Sequence, residues 1–233
     1  MKAYLVKTPK IFKLLFKKRL WAFSSKQKII YLTFDDGPIP EVTPWVLEQL
    51  KKHQAKATFF CIGKNIEENP SIFNQIYEEG HAIGNHTQNH LNANLTSSDS
   101  YLENVLKAQE VINERIKILG GNKVERENSS IKNEKKPQIN QFLFRPPYGK
   151  LSSKKAKKLQ KKGFQIVMWD VLSADFDSSI SKEKCLENVL KNTRKGSIII
   201  FHDSKKAEMN LRYALPKILT HYSNMGYVFK AIP

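Results

Sequence analysis

Residues 29–38 read Ile29-Ile30-Tyr31-Leu32-Thr33-Phe34-Asp35-Asp36-Gly37-Pro38, an apolar run of strand length that ends in two adjacent carboxylates and a Gly-Pro turn. Side-by-side anions repel. A desolvated carboxylate without a partner costs several kcal/mol or takes up a proton. A bound cation or a proton-transfer task offsets that cost, so the end of this strand is read as the edge of a functional site.

Working outward, apolar runs of strand length alternate with segments of helical period. The strand candidates are Ile29–Phe34, Ala57–Ile62, Ala82–Asn85, Phe142–Arg145, Gln165–Asp170, Ser197–His202 and Tyr227–Ala231. Helices are expected at Pro40–His53, Ser71–Glu79, Ser98–Leu119, Ser153–Lys162, Lys182–Arg194 and Leu211–Met225, with Gly120-Gly121 stopping the third. Repeated strand–helix units require parallel strands with crossover helices. About seven of them in one domain favour an α/β fold closed, or nearly closed, into a parallel barrel over an open doubly wound sheet. No GxGxxG or GxxxxGK[ST] loop is present.

Two segments break the rhythm. Residues 120–140 are polar, rich in Lys, Glu, Asn and Ser, and read as a flexible surface insertion in a domain spanning 29–233. Residues 1–28 form a basic N-terminal segment with nine Lys and Arg and no Asp or Glu. Within it, Tyr4-Leu5-Val6 suits a short strand. Ile11–Trp21 suits a basic amphipathic helix covering one end of the barrel, a membrane-surface role being the weaker alternative.

The chain has 233 residues, 40% of them apolar, enough for one domain with a core, and a net charge of +17. That charge, clustered before Ile29 and at Lys150–Lys162, fits attraction to a polyanion (nucleic acid, anionic lipid or an acidic cell-wall polymer) or simply a lysine-rich solvated surface, the reading favoured. Nucleic acid is disfavoured, because the lysines lack interleaved exposed aromatics. No run reaches the roughly 18 to 20 apolar residues of a membrane span. Lys13, Lys17, Lys18 and Arg19 interrupt the early apolar residues, so no signal peptide is recognised; the cytoplasm is the default location and cell-envelope association the alternative. Cys61 and Cys185 stand far apart, which excludes a disulfide framework and a thiolate zinc cluster. A monomer is expected.

In parallel αβ barrels functional groups gather at the C-terminal ends of the strands. Asp35, Asp36, His86, His90, Arg145, Asp175 and His202 all fall there. His86-Thr87-Gln88-Asn89-His90 puts two imidazoles four residues apart, on one face if the segment is a helical turn. An HxxxH pair alone is weak. With a carboxylate it makes a common catalytic zinc set, and one Asp of the pair is then free to act as a base. Phe144-Arg145-Pro146-Pro147-Tyr148-Gly149 is a rigid turn in which Arg145 can hold a carboxylate, a loop with a purely structural Arg being the equal alternative on this stretch alone. The Tyr148 N–H can serve as half of an oxyanion hole.

Thr33–Pro38, His86–His90, Arg145–Gly149, Trp169–Phe176 and Ile200–His202 occur in the order and rough spacing of five motifs, and on them the chain resembles the polysaccharide deacetylase family (carbohydrate esterase family four) over about residues 28–231. The resemblance implies a distorted (β/α) barrel with seven strands. It implies Asp35 as catalytic base, Asp36 with His86 and His90 as metal ligands, and Arg145 as the residue orienting the base. It further implies the Tyr148 N–H as oxyanion donor, His202 as general acid tuned by Asp175, and Ile200 lining the acetyl pocket. Pro147 and Phe176 would border the substrate groove. Phe176 stands where the family often has Trp and brings no indole N–H. The implied activity is hydrolysis of N-acetyl groups on N-acetylglucosamine-containing glycans of the peptidoglycan or chitin type. The implied cofactor is one divalent metal, zinc foremost and cobalt or nickel acceptable. Hydrolysis of O-acetyl esters or another amide, and a catalytically silent carbohydrate- or polyanion-binding protein, are the alternatives.

Overall fold

The computed structural model describes residues 4–126 and 142–233. Every residue of β1 (Ile29–Asp35) is buried, and the chain's alternation divides them between two apolar layers. Ile30, Leu32 and Phe34 face the helices, where they join Phe59, Ile199 and Phe201. Ile29 and Tyr31 point the other way, into the barrel, with Phe60, Val167 and Ile198. A strand buried on both faces needs a continuous apolar run, which is why no polar alternation marks it in the sequence.

Around β1 lie α2 (Val42–Lys52), β2 (Ala57–Cys61), α3 (Gly63–Glu68), α4 (Pro70–Glu78), β3 (Ala82–Asn85) and α5 (Ser98–Arg126). They are followed by β4 (Phe142–Phe144), α6 (Ser153–Lys161), β5 (Phe164–Ile166), β6 (Val171–Leu172), α7 (Lys182–Asn192), β7 (Ile198–His202), α8 (Glu208–Asn224) and β8 (Val228–Phe229). The strands run in the order β5-β4-β3-β2-β1-β7-β6, every pairing parallel. They make a curled barrel of seven strands flanked by helices. β8 pairs with the start of β1, beside Ile29 and Ile30, before β2 joins that edge at Leu32.

The barrel's seam lies between β5 and β6, and the N-terminal segment fills it. Leu20 accepts from the Met168 N–H and donates to Ile166 O at 2.7 and 2.8 Å. Val6 O accepts from Leu172 N–H at 2.8 Å, and Thr8 N–H donates to Asp170 O at 2.9 Å. The segment thus acts as a stave of the wall. The expected helix over Ile11–Trp21 is shorter, α1 (Lys10–Leu15), and buries none of its residues.

Other differences have local causes. Of the expected strand Gln165–Asp170 only Gln165 and Ile166 lie in β5, and β6 begins beyond it at Val171, because residues 167–170 leave the β5 ladder to bond the N-terminal stave and β7. A short helix, α3, precedes α4 and was not expected. Gly120-Gly121 does not stop α5, which runs through to Arg126 although two glycines cost about 2 kcal/mol in a helix interior. The rest of the expected insertion, from 127 to 140, lies outside the described residues. In the lysine-rich stretch Lys155 is buried rather than solvated, and its ammonium caps Ala93 O and Thr96 O. Cys61 and Cys185 are buried free thiols. No helix among the described residues is long and apolar enough to cross a membrane.

Candidate active site

Parallel register carries the motif residues to one rim. Asp35 pairs laterally with His202 on β7 and with Phe60 on β2. Asn85 pairs with Phe144, so that His86 and Arg145 leave the sheet side by side. The ladder continues past the strand ends: Arg145 N–H donates to Asn85 O at 3.0 Å, and Asp203 N–H donates to Asp35 O at 3.0 Å. Among the described residues seven non-glycines have positive φ, and five of them, Asp36, Thr87, His90, Tyr148 and Ala174, sit in these rim loops. Such conformations cost of order 1–3 kcal/mol each and persist where surrounding contacts fix them.

Arg145 is the largest fully buried side chain. Its guanidinium donates to Asp35 Oδ1 at 2.7 Å, to Thr33 Oγ1 at 2.6 Å and to the carbonyls of Met168 and Val167 at 2.8 and 3.3 Å. It lies 4.1 Å from the centre of the Phe60 ring. Asp35 therefore has a fixed counter-charge on one oxygen, and its other oxygen lies 3.8 Å from His86 Nε2.

Asp36, His86 and His90 offer three ligand atoms within 4.8 Å of one another. Asp36 Oδ1 is 3.2 Å from His90 Nε2 and 3.6 Å from His86 Nε2. His86 Nδ1 lies 2.7 Å from Arg145 O. A carbonyl can only accept, so the proton is on Nδ1 and the Nε2 lone pair faces Asp36, the arrangement of a ligating imidazole. Burial lowers the His86 pKa against the pull of Asp35 and Asp36, which favours that neutral form. Burial alone would raise the Asp36 pKa; His90, His202 and His86 reverse this and hold it below the ordinary carboxylate range. Asp36 Oδ1 is nevertheless buried with no hydrogen bond. An anionic oxygen left so, facing two imidazole nitrogens, is the donor set of a divalent cation. The pair of imidazoles does not converge on a helical turn, as the HxxxH spacing suggested. The segment is a loop, and positive φ at Thr87 and His90 brings the rings to 5.1 Å.

Across the site His202 Nδ1 lies 2.8 Å from Asp175 Oδ1, and its backbone N–H donates to Asp175 Oδ2 at 2.7 Å. Ser173 Oγ donates to the same carboxylate at 2.9 Å. Burial works against a charged His202, but Asp175, then Asp36 and Asp35, outweigh it and raise the pKa to about 9. Ile200 is buried with Leu172 and Ala174, an apolar cluster beside His202. The Phe176 ring meets His202 edge-on at 5.0 Å.

The Pro147–Gly149 turn sits against Trp169, whose ring a Cβ on Gly149 would approach to 2.4 Å. Its hydrogen bonds, Gly149 N–H to Pro146 O and Lys150 N–H to Pro147 O, do not use the Tyr148 N–H. The exposed Tyr148 ring lies 4.7 Å from that of His90. Pro147 is buried at the base of this turn.

Several contributors escape a reading by motif. Asp203 receives the Gly37 N–H at 3.0 Å and the Thr43 hydroxyl at 2.6 Å, pinning the loop that carries Asp36. Burial, opposed by Thr43 and reinforced by Asp36, pushes its pKa up to about 8. A Cβ on Gly37 would lie 2.0 Å from Asp203 Oδ2, so only glycine fits there. Asn65 donates to Asp36 O at 2.6 Å. Tyr4 meets Phe176 edge-on at 5.6 Å and donates to Asp177 at 2.5 Å, tying the N-terminal segment to the site wall. Of these only Asp203, next to His202, is flagged by adjacency to a motif; nothing in the sequence ties Asn65 or Tyr4 to the site.

Comparison with known proteins places the chain in a family. The family profile described as Polysaccharide deacetylase matches residues 23–125. A peptidoglycan-N-acetylglucosamine deacetylase of Bacillus cereus is 37% identical over 213 residues, 91% of this chain and 90% of that protein. A chitooligosaccharide deacetylase of Azorhizobium caulinodans is 37% identical over 180 residues, 77% of this chain and 76% of that one. The crystal structure of the Bc1960 peptidoglycan N-acetylglucosamine deacetylase superposes with a TM-score of 0.80 at 31% identity, covering 97% of this chain and 95% of that one. With a relative of such identity spanning nearly its whole length, this chain belongs to the polysaccharide deacetylase family, hydrolases of carbon–nitrogen bonds other than peptide bonds.

Proposed function

We propose that the protein is a metal-dependent deacetylase that removes N-acetyl groups from N-acetylglucosamine units of a peptidoglycan or chitin-like glycan, with zinc as the preferred ion and cobalt or nickel as substitutes. The observation that carries this reading is the orphaned Asp36 oxygen facing two imidazole nitrogens, beside an Arg145-held Asp35 and opposite the Asp175–His202 pair. The names of the similar proteins support the substrate class.

Asp36, His86 and His90 would hold the ion, which supplies Lewis-acid activation of water and of the acetamide carbonyl. Asp35 takes the proton of the attacking water. Its orientation comes from Arg145, anchored in turn by Thr33 and two backbone carbonyls. The Tyr148 N–H donates to the developing oxyanion. His202, already protonated at neutral pH, gives its proton to the departing sugar nitrogen as the carbon–nitrogen bond breaks, leaving an amine and acetate. Ile200, with Leu172 and Ala174, offers an apolar seat for the acetyl methyl, and Pro147 and Phe176 border the groove. The test is acetate release from a panel of N-acetylglucosamine oligomers, peptidoglycan and O-acetylated xylan, after chelation and metal add-back. Release from the N-acetyl substrates alone, lost on chelation and restored by zinc, is expected. Release only from the O-acetyl substrate, or release indifferent to chelation, would overturn the reading.

A further inference from the structure

The helix α1 is inside out. A surface helix normally turns its apolar side to the core. Here Ile11, Phe12, Leu14 and Leu15 are 55%, 40%, 70% and 66% exposed. At about 100° per residue these four fall on one face. Lys13 lies on the opposite face and is ion-paired with Asp170, buried in the barrel wall. The orientation is held on both sides. Lys7 reaches the other Asp170 oxygen at 2.5 Å, and Arg19 packs over the Phe16 ring at 4.5 Å while donating to Leu151 O at 2.8 Å. Leu5, 64% exposed, adds to the apolar surface at this end of the chain.

We propose that α1 docks the protein on an anionic lipid surface, with Ile11, Phe12, Leu14 and Leu15 entering the acyl boundary and Lys10, Lys17 and Lys18 meeting the headgroups. Charge complementarity selects this occupant. Lys10, Lys17 and Lys18 are exposed, and the first 28 residues hold nine basic side chains and no acidic one. An apolar face flanked by lysines is what an interfacial helix presents to anionic lipid. A second copy would bring two such basic segments together and repel. A soluble polyanion would satisfy the lysines and leave the apolar side chains in water. Residues 127–141, mostly polar, have little apolar surface to offer as a cover.

The test is flotation of the full chain with vesicles of equimolar phosphatidylglycerol and phosphatidylcholine, against vesicles of phosphatidylcholine alone. Binding to the anionic vesicles is expected, weakened when salt is raised from about 0.05 to about 0.5 M. The Leu14→Ser/Leu15→Ser variant should partition at least about tenfold less, because the loss of buried apolar area removes the insertion term. Lys17→Gln/Lys18→Gln should weaken binding to the anionic vesicles only. Lys157→Gln/Lys161→Gln, on exposed positions of α6, should bind as the parent does. Acetate release from soluble oligomers should be unchanged in all three variants, which separates this proposal from the catalytic reading. Failure of the parent to float with anionic vesicles, or equal flotation of the serine variant, overturns the proposal. A dimer in sedimentation velocity that the serine variant loses, without vesicle binding, would assign the face to a second copy instead.

Discussion

Asp35 and Asp36 are neighbours in the chain with different surroundings. Asp35 is held by Arg145 in the barrel interior, whereas positive φ at Asp36 turns its carboxylate toward the imidazoles. The two should therefore separate by mutation. Asp35→Asn should lower kcat by at least about a hundredfold, the scale of a lost general base, while still binding zinc in a calorimetric titration. His90→Ala should lose both. Zinc binding lost in Asp35→Asn would show that the two carboxylates are not divided in this way. His202 gives a pH signature. Its folded pKa, about 9, lies above the ordinary 6.5, so the proton is held through neutrality. The stability that the Asp175 pair contributes is full below about 6.5 and lost as pH rises through about 9. Activity that needs the imidazolium falls over the same alkaline limb. Asp175→Asn removes the nearest charge and should move that limb of the kcat/KM profile at least about one unit toward acid. An unmoved limb would assign it to another group. At this scale motif spacing brought most of the site into view. Thr33, Phe60 and Asp203 stayed hidden, because their roles depend on register across strands more than a hundred residues apart in the case of Thr33 and Arg145.

The same limit holds for the elements. Helix periodicity located α2, α4, α6, α7 and α8 closely, because each carries an apolar stripe against the sheet. It failed where the cause was not periodic: α5 continues through two glycines, and the strand expected over Gln165–Asp170 ends at Ile166 because the N-terminal stave bonds the residues that follow. The stave itself is short and irregular; only its Tyr4-Leu5-Val6 stretch reads as a strand, and nothing in the pattern announces that it closes the barrel seam. Its anchor is Asp170, which receives Lys7, Lys13 and the Ser197 hydroxyl. Asp170→Asn should cost roughly 1–3 kcal/mol, the cost of leaving a buried hydrogen-bonded charge cluster short of its anion, discounted because both lysines are partly exposed. It would appear as a lowered Tm with the barrel otherwise intact. Burial raises the Asp170 pKa, but Lys13, Lys7 and Ser197 more than reverse it, to below the ordinary 3.8. The difference in Tm from the parent should accordingly be full above about pH 4 and shrink as pH falls through the lowered value. A variant as stable as the parent at neutral pH would mean that the stave is held by backbone bonds alone.

For the whole molecule the outstanding quantity is the net charge of +17. It is not gathered at the chemistry, where the charges of Arg145 and His202 are each matched by a carboxylate, Asp35 and Asp175. It is spread over α1 and its flanks and over exposed lysines of α6 and the following turn. At physiological ionic strength the field of each charge decays within about 8 Å, so separate lysine patches act together only on a ligand long enough to span them. A short neutral oligosaccharide in the rim site would not be steered by them. A wall glycan bearing anionic polymer would be. The expected outcome is a KM for intact anionic wall that rises several-fold between about 0.05 and about 0.5 M salt with kcat unchanged, because screening removes attraction without touching the rim. The KM for neutral N-acetylglucosamine oligomers should stay flat over the same range. Equal salt dependence for both substrates would place the effect in the site itself, and none for either would reduce the charge to solubility.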